Sequence, residues 1–185
     1  YSYAGRYNIE YNGAYNGSEK FSKDNRFAFF NSGAIGWTIT EENFMKNLRD
    51  KHIIDMLKFR ASYGEIGDDN LGTDPFDSTR RWLYMSQWAY GGKSTMDLDH
   101  TESIYTWYRQ NTLGNENVKW ETVKKTNFGI DYGFLGGLIT GSVDFFCDRR
   151  NDILIFGANR SVPSYFGTTA PTINKGKVRT SGYEL

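Results

Sequence analysis

Between Trp120 and Leu154 the chain reads WETVKKTNFGIDYGFLGGLITGSVDFFCDRRNDIL, and no other stretch limits the possible fold as tightly. Phe128, Ile130, Tyr132 and Phe134 fall on one side, with Asn127, Gly129, Asp131 and Gly133 on the other. A period of two residues belongs to a β-strand, whose side chains point alternately to opposite faces. Leu135, Gly136 and Gly137 break the pattern, and alternation resumes from Leu138 to Leu154. Two such runs around a short glycine step predict a hairpin with a tight turn. Each run is longer than the common strand of about 5–6 residues, and long enough for the roughly 9–11 residues that cross a membrane.

Similar runs recur along the chain. Over residues 3–16, Tyr7, Ile9, Tyr11, Gly13 and Tyr15 share a face, with Asn8, Glu10, Asn12 and Ala14 opposite. The polar segment GSEKFSKDNR reads as a loop before a second strand, Phe27 to Trp37. In LKFRASYGEIG, residues 57–67, Leu57, Phe59, Ala61 and Tyr63 oppose Lys58, Arg60, Ser62 and Gly64. Residues 40–56 differ. Thr40 with Asn43 three positions on suggests a helix cap, and Phe44, Met45, Leu48 and Ile53 suggest one or two short helices. A long excursion, residues 68–118, precedes the hairpin. It carries RRWLYMSQWAYGG and YTWYRQN, and a connection of that length is expected to be functional. Residues 156–172 form another long loop before NKGKVRTSGYEL, which reads as a strand. Both ends of the chain look cut from something longer.

Composition narrows the class. Aromatics are 17% of residues and there are 20 glycines, which suits strands and turns and fits disorder poorly. The 22 basic residues balance 22 acidic ones, against general binding of polyanions. Lys175, Lys177 and Arg179 make a mildly basic segment, too small for nucleic acid. Cys147 is the single cysteine, so no internal disulfide framework is possible, and its phase puts it on the apolar face. No run of 18 apolar residues is present, but a transmembrane barrel leaves none either.

Alternation alone does not say which face is inside. In a soluble sandwich the aromatic face is the core. In a membrane barrel it meets lipid and the polar face lines the lumen. Three features favour the barrel. The strands are long, Tyr132, Trp120 and Trp37 sit near strand ends as interfacial girdles do, and short turns alternate with long loops.

No catalytic constellation is expected. His52 and His100 stand far apart, without a paired-histidine motif. Asp68, Asp69, Asp74 and Asp77 offer oxygen ligands for calcium, but depart from the EF-hand spacing and read better as a solvated turn. The Asp97–His100 run is equally weak. Ser62 and Ser142 lack a nucleophile elbow, and Gly92–Lys93–Ser94 lacks the first glycine of a phosphate loop. Catalytic residues, metal ligands and cofactors are therefore all expected to be none.

Four segments in order carry a resemblance. YNGSEKFSKDNRFAFFNSGAIGWTITEENFM, LKFRASYGEIGDDNLG, VKWETVKKTNFGIDYGFLGGLITGSVDFFCDRRNDIL and NKGKVRTSGYEL resemble TonB-dependent outer-membrane transporters of the SusC/RagA type, Bacteroidetes nutrient importers. Residues 72–116 match poorly. The resemblance implies an all-β fold, with residues 1–185 a portion of a large antiparallel transmembrane β-barrel of about 22 strands when complete. The plug domain would lie outside this chain, which would supply six or seven strands. The resemblance further implies localisation in the cell outer membrane and import of a glycan, oligosaccharide or peptide. Implied partners are a SusD-like surface lipoprotein, TonB acting through the absent N-terminal region, the protein's own plug domain and outer-membrane lipid, with no nucleic acid. Loops 17–26, 68–118 and 157–172 would be extracellular, and 40–56 and 135–137 periplasmic.

On this alignment Glu10, Lys58, Arg60, Asn127, Asp131 and Asp144 are lumen-facing, in contact with the plug or simply solvated. Trp82, Tyr84, Trp88, Tyr90, Tyr105, Trp107 and Tyr108 of the outer loop stack on sugars or touch the lid lipoprotein, or else pack the loop on itself. The rival classes are a soluble all-β carbohydrate-binding module and an adhesin-like surface protein.

Overall fold

The computed structural model describes residues 1–71, 80–93 and 105–185. Seven strands form one antiparallel sheet, in the order β1 (Ser2–Tyr3), β2 (Tyr7–Gly17), β3 (Phe27–Thr38), β4 (Ile54–Asp68), β7 (Glu121–Phe134), β8 (Ile139–Ile155) and β9 (Ile173–Glu184). Strands β5 (Gln87–Lys93) and β6 (Thr106–Thr112) pair only with each other, as a ribbon within the long excursion. Every strand of the large sheet pairs with its sequence neighbour apart from that insertion, so β1 and β9 are the edges of an open arc. The strands run to 17 residues in β8 and 15 in β4, well beyond a common strand of about 5–6.

Antiparallel pairing sorts the connections by end. The turn at 4–6, the segment 39–53 and the hairpin at 135–138 share one end; residues 18–26, 69–120 and 156–172 share the other. Leu135, Gly136 and Gly137 all take positive φ, at 57, 68 and 82°, so glycine serves the hairpin where a side chain would be strained. Leu135 N–H and Gly136 N–H donate to the carbonyls of Ile53 and His52, which ties the two adjacent connections together.

Three expectations change. The run over 3–16 is not one strand: Ala4 and Gly5 turn at φ 51 and 67°, and β1 folds back onto β2. Residues 40–56 are mostly not α-helix. Two 3-10 turns, Ile39–Glu41 and Asn43–Met45, lead into α1, only Lys46–Asp50. Thr40 caps nothing; it sits buried inside the first turn, and Thr38 takes the cap position without a side-chain bond. Strand β4 starts at Ile54, with a bulge before Met56, because its first residues still find ladder partners on β7. Finally, Trp120 is buried rather than part of a girdle.

The register aligns like with like across the sheet. Ile9 faces Ile35, then Ala61, Phe128, Phe145 and Tyr183 in successive strands. The next row contains Tyr7, Trp37, Phe59, Ile130 and Val143. These rows are not covered: Ile9 is 55% exposed, Ile35 60%, Phe145 50% and Tyr183 70%. The buried cluster lies elsewhere. Phe21, Phe30, Leu71, Val118 and Trp120 pack together at the long-loop end, with Ala28, Leu83 and Leu154 against them. Trp120 contacts Phe30 edge-on and Phe21 at a tilt, and its indole N–H donates to the Arg26 carbonyl at 3.2 Å. Only strand register and the return of the loops bring these rings together, so the strand-end position of Trp120 misleads.

Candidate functional site on the polar face

On the other face the same register gathers charge. Arg60 of β4 stands opposite Gly129 of β7, and Gly129 opposite Asp144 of β8. A Cβ at position 129 would lie 2.6 Å from Asp144 Oδ1 and 2.8 Å from Arg60 Cζ. The glycine therefore leaves a slot through which the guanidinium crosses the middle strand. Arg60 Nε donates to Asp131 Oδ2 at 2.9 Å and Nη2 to Asp131 Oδ1 at 2.8 Å, a two-pronged bond of the kind that fixes orientation as well as charge. The same Nη2 donates to Asp144 Oδ2 at 3.0 Å. Two carboxylates thus share one guanidinium.

Asp144 keeps its second oxygen, Oδ1, buried and without a partner. One pair further along this face, Asn127 Oδ1 is in the same condition. Buried acceptors left unpaired cost free energy, so both are places where a donor from outside the chain would be stabilising. An open cleft of about 580 Å³ runs along the face, lined by Glu10, Lys58, Arg60, Ser62 and Asn127 among others. Glu10 is further oriented by Asn12, whose amide donates to Oε1 at 2.8 Å. The structure therefore places all six predicted polar-face residues on one face and joins Arg60, Asp131 and Asp144 in direct contact.

A second triad on this face, nearer the long loops, was not singled out from the sequence. Arg150 Nε donates to Glu121 Oε2 at 3.1 Å, and Arg150 Nη2 reaches Asp68 Oδ2 at 2.8 Å. Buried Glu121 also accepts the Leu154 N–H through Oε1 at 2.9 Å. Strand phase was enough to put Arg150 with Asp144 and Asp148, but not to say that Glu121 and Asp68 would meet it. Asp69 is likewise engaged, by the Ser18 hydroxyl at 2.8 Å and the Lys20 ammonium at 3.2 Å. Asp68 and Asp69 are therefore joined to cations and loops; Asp74, Asp77, Ser94 and the 97–100 run lie outside the described residues. Among the described residues no His, Cys, Asp and Glu group has metal-site geometry.

At the short-turn end, Glu42 gathers three donors. The Tyr7 hydroxyl lies 2.5 Å from Oε1, the Trp37 indole N–H 3.2 Å from Oε1, and Arg6 Nη1 3.4 Å from Oε2. The Tyr7 hydrogen bond first, then that from Trp37, holds the Glu42 carboxyl below its ordinary range. This contact pins segment 39–45 to the ends of β2 and β3, and no sequence spacing announced it.

The loop aromatics do not converge on one surface. Trp82 and Tyr84 pack edge to face at 6.0 Å, with the Arg81 guanidinium 5.6 Å from the Trp82 ring. Trp88, Tyr90 and Tyr108 share one side of the ribbon, the two tyrosines 5.9 Å apart, and all three are exposed. Trp107 lies on the opposite side, over Gly91. Tyr105 is exposed just before β6.

All of residues 1–185 match the family model described as "TonB dependent receptor-like, beta-barrel". The chain is 32% identical over its full length to TonB-dependent receptor P3 of Formosa agariphila, covering 17% of that protein. It is 35% identical over 154 residues, 83% of the chain, to TonB-dependent receptor SusC of Bacteroides thetaiotaomicron, covering 14% of it. The chain thus spans about a sixth of the length of these relatives. The RagAB peptide importer in its open-open state superposes on 96% of the chain with a TM-score of 0.75 at 20% identity, and in its closed-closed state with 0.70 at 21%; the match spans 17% of the importer chain in each. At such identities the likeness concerns the fold.

Proposed function

The chain belongs to the TonB-dependent receptor β-barrel family, and on that premise we propose that it is a wall segment of an outer-membrane nutrient importer. The family is one of receptors, not enzymes, and its place is the outer membrane. The observation that carries the reading is the exposed apolar row from Ile9 through Ile35, Phe128 and Phe145 to Tyr183. In water such a continuous surface would be costly, at about 25 cal/mol per Å² of apolar area. Hydrocarbon removes that cost, and the opposite face then lines the lumen. Edge strands β1 and β9 would pair with further strands of the same polypeptide, since an open edge does not persist in lipid.

On this reading Glu10, Lys58, Arg60, Asn127, Asp131 and Asp144 face a plug domain supplied by the rest of the protein. The unpartnered Asp144 Oδ1 and Asn127 Oδ1 would accept hydrogen bonds from plug donors. The triad would then work as a positioning contact, holding the plug while the pore is closed and releasing it when TonB acts from the periplasmic side. The long-loop end would be extracellular, where Trp88, Tyr90 and Tyr108 offer exposed rings to substrate or to a SusD-like lipoprotein lid. The cargo would be an oligosaccharide or a peptide, the classes that the family resemblance of the four sequence segments implies; the RagAB structures, alike in fold, are those of a peptide importer. A soluble carbohydrate-binding module is disfavoured by the same apolar row, which would have to be its core.

The test is the behaviour of the intact protein. It is expected to need detergent, to show heat-modifiable migration and to incorporate into liposomes. A stable monomer in buffer without detergent would sink the proposal. Uptake of labelled oligosaccharides and peptides by cells with and without the protein then separates the two cargo classes.

A further inference from the structure

The aromatic face carries one feature that import does not use. At its long-loop margin the ladder places Glu65 opposite Lys124, Lys124 opposite Arg149, and Arg149 opposite Arg179. Glu65 pairs with Lys124 at 3.7 Å, so one cation of the row is partly balanced. Arg149 and Arg179 are both exposed, and among the described residues no carboxylate pairs with either. Lys177 continues on the same side of β9 by alternation and is exposed.

Like charges directly opposite on adjacent strands repel. Two arginines held there, with lysines beside them, are stabilised by an anion that bridges them. The position selects which anion. The next row toward the middle of the sheet is Tyr63, Thr126, Cys147 and Ser181, and the row beyond it is Ala61, Phe128, Phe145 and Tyr183. The cations therefore stand at the rim of the apolar belt, one residue pair outside its polar and aromatic margin. A phosphate covalently attached to acyl chains would place its charge on the arginines and its chains along Phe128, Phe145 and Tyr183.

We infer that Arg149 and Arg179, with Lys124 and Lys177, form a binding site for the phosphate of a lipid headgroup on the outward face of the barrel. The inference rests on the reading that the aromatic face meets lipid. It adds a ligand class that the import reading does not require. No covalent step is involved.

The intact receptor in a nonionic detergent is titrated with phosphatidic acid, with diacylglycerol as its phosphate-free counterpart, and bound lipid is counted by native mass spectrometry. Phosphatidic acid is expected to bind and diacylglycerol not. Arg149→Gln with Arg179→Gln should weaken binding about tenfold or more, since each basic side chain near a charged lipid surface contributes on the order of a factor of five. Arg149→Lys with Arg179→Lys should retain most of it, and Lys125→Gln, on the opposite face, should change nothing. Equal binding by the double Gln variant and the wild type overturns the site. Complete displacement of the lipid by inorganic phosphate would make it a free-anion site and overturn the lipid assignment. Should the double variant fail to insert, Arg179→Gln alone carries the same comparison. A separate arm tests the underlying reading: a fluorophore on Val143→Cys should be quenched by brominated acyl chains. Absence of quenching there refutes the lipid-facing assignment itself, whatever the phosphate titration gives.

Discussion

Replacing Arg60 by Met keeps most of the side-chain stem and removes the charge that Asp131 and Asp144 share. Three charge-assisted bonds of 2.8–3.0 Å disappear together. A hydrogen bond to a charged group is worth about 1.5–3 kcal/mol where water is excluded. Arg60 is 38% exposed, however, and the aspartates 21% and 18%, so water screens a large part. A fully buried pair broken on one side costs about 3–5 kcal/mol. Roughly half of that, about 2 kcal/mol, is the expected destabilisation here. Most of it comes from the two carboxylates left unbalanced as diagonal neighbours on β7 and β8, so Asp144→Asn in the Arg60→Met background should recover about 1 kcal/mol. The assay is a double-mutant cycle on the intact receptor, using the urea midpoint of unfolding in detergent followed by heat-modifiable migration. An Arg60→Met variant within about 0.5 kcal/mol of wild type, or additive behaviour with Asp144→Asn, would refute the triad as a stabilising unit.

Three further outcomes follow from other parts of the structure. Phe128→Arg should cost about 2–4 kcal/mol in membrane stability and Asn127→Arg, its chain neighbour on the other face, much less; equal costs would mean the faces are assigned wrongly. Phe21→Ala should cost about 3 kcal/mol and open the loop at 18–26 to protease, because Phe21 is almost fully enclosed by Phe30, Trp120 and their neighbours. Glu42 has its carboxyl pKa depressed in the folded state by Tyr7 and Trp37, so its contribution is present above the ordinary value of 4.5 and is lost as pH falls through the lower folded value. Hydrogen exchange of residues 38–45 should accelerate over that acidic window in the wild type, and Glu42→Gln should remove the pH dependence; an unchanged profile in the variant counts against the Glu42 contact.

Much of the sheet was legible because alternation is a local property. β3, β7 and β8 lie within a residue or so of where period two put them, and the Leu135–Gly137 turn is where the pattern breaks. The failures share a cause. The 39–53 segment carries helix-like apolar spacing, yet it is short and anchored at Glu42 and His52, so tertiary hydrogen bonds hold it in 3-10 turns. Ala4 and Gly5 turn the chain inside a well-alternating run, because pairing β1 back onto β2 satisfies backbone groups that a straight strand would leave on the edge. Trp120 shows the same limit: its phase and position suited a girdle, but its neighbours come from residues 21, 30, 71 and 118.

By itself the sequence determined that this chain makes long amphipathic strands, which residues share a face within each strand, and where the short and long connections fall. That follows because side-chain direction in a strand depends only on the parity of position. Beyond the β7–β8 hairpin, which strands are neighbours was decided by the tertiary structure alone, and so was the register. Arg60 meets Asp131 and Asp144 across 71 and 84 residues of chain, and Arg149 meets Arg179 only through the β8–β9 ladder. A shift of one residue in either ladder would send every partner to the opposite face, and no local pattern records that register.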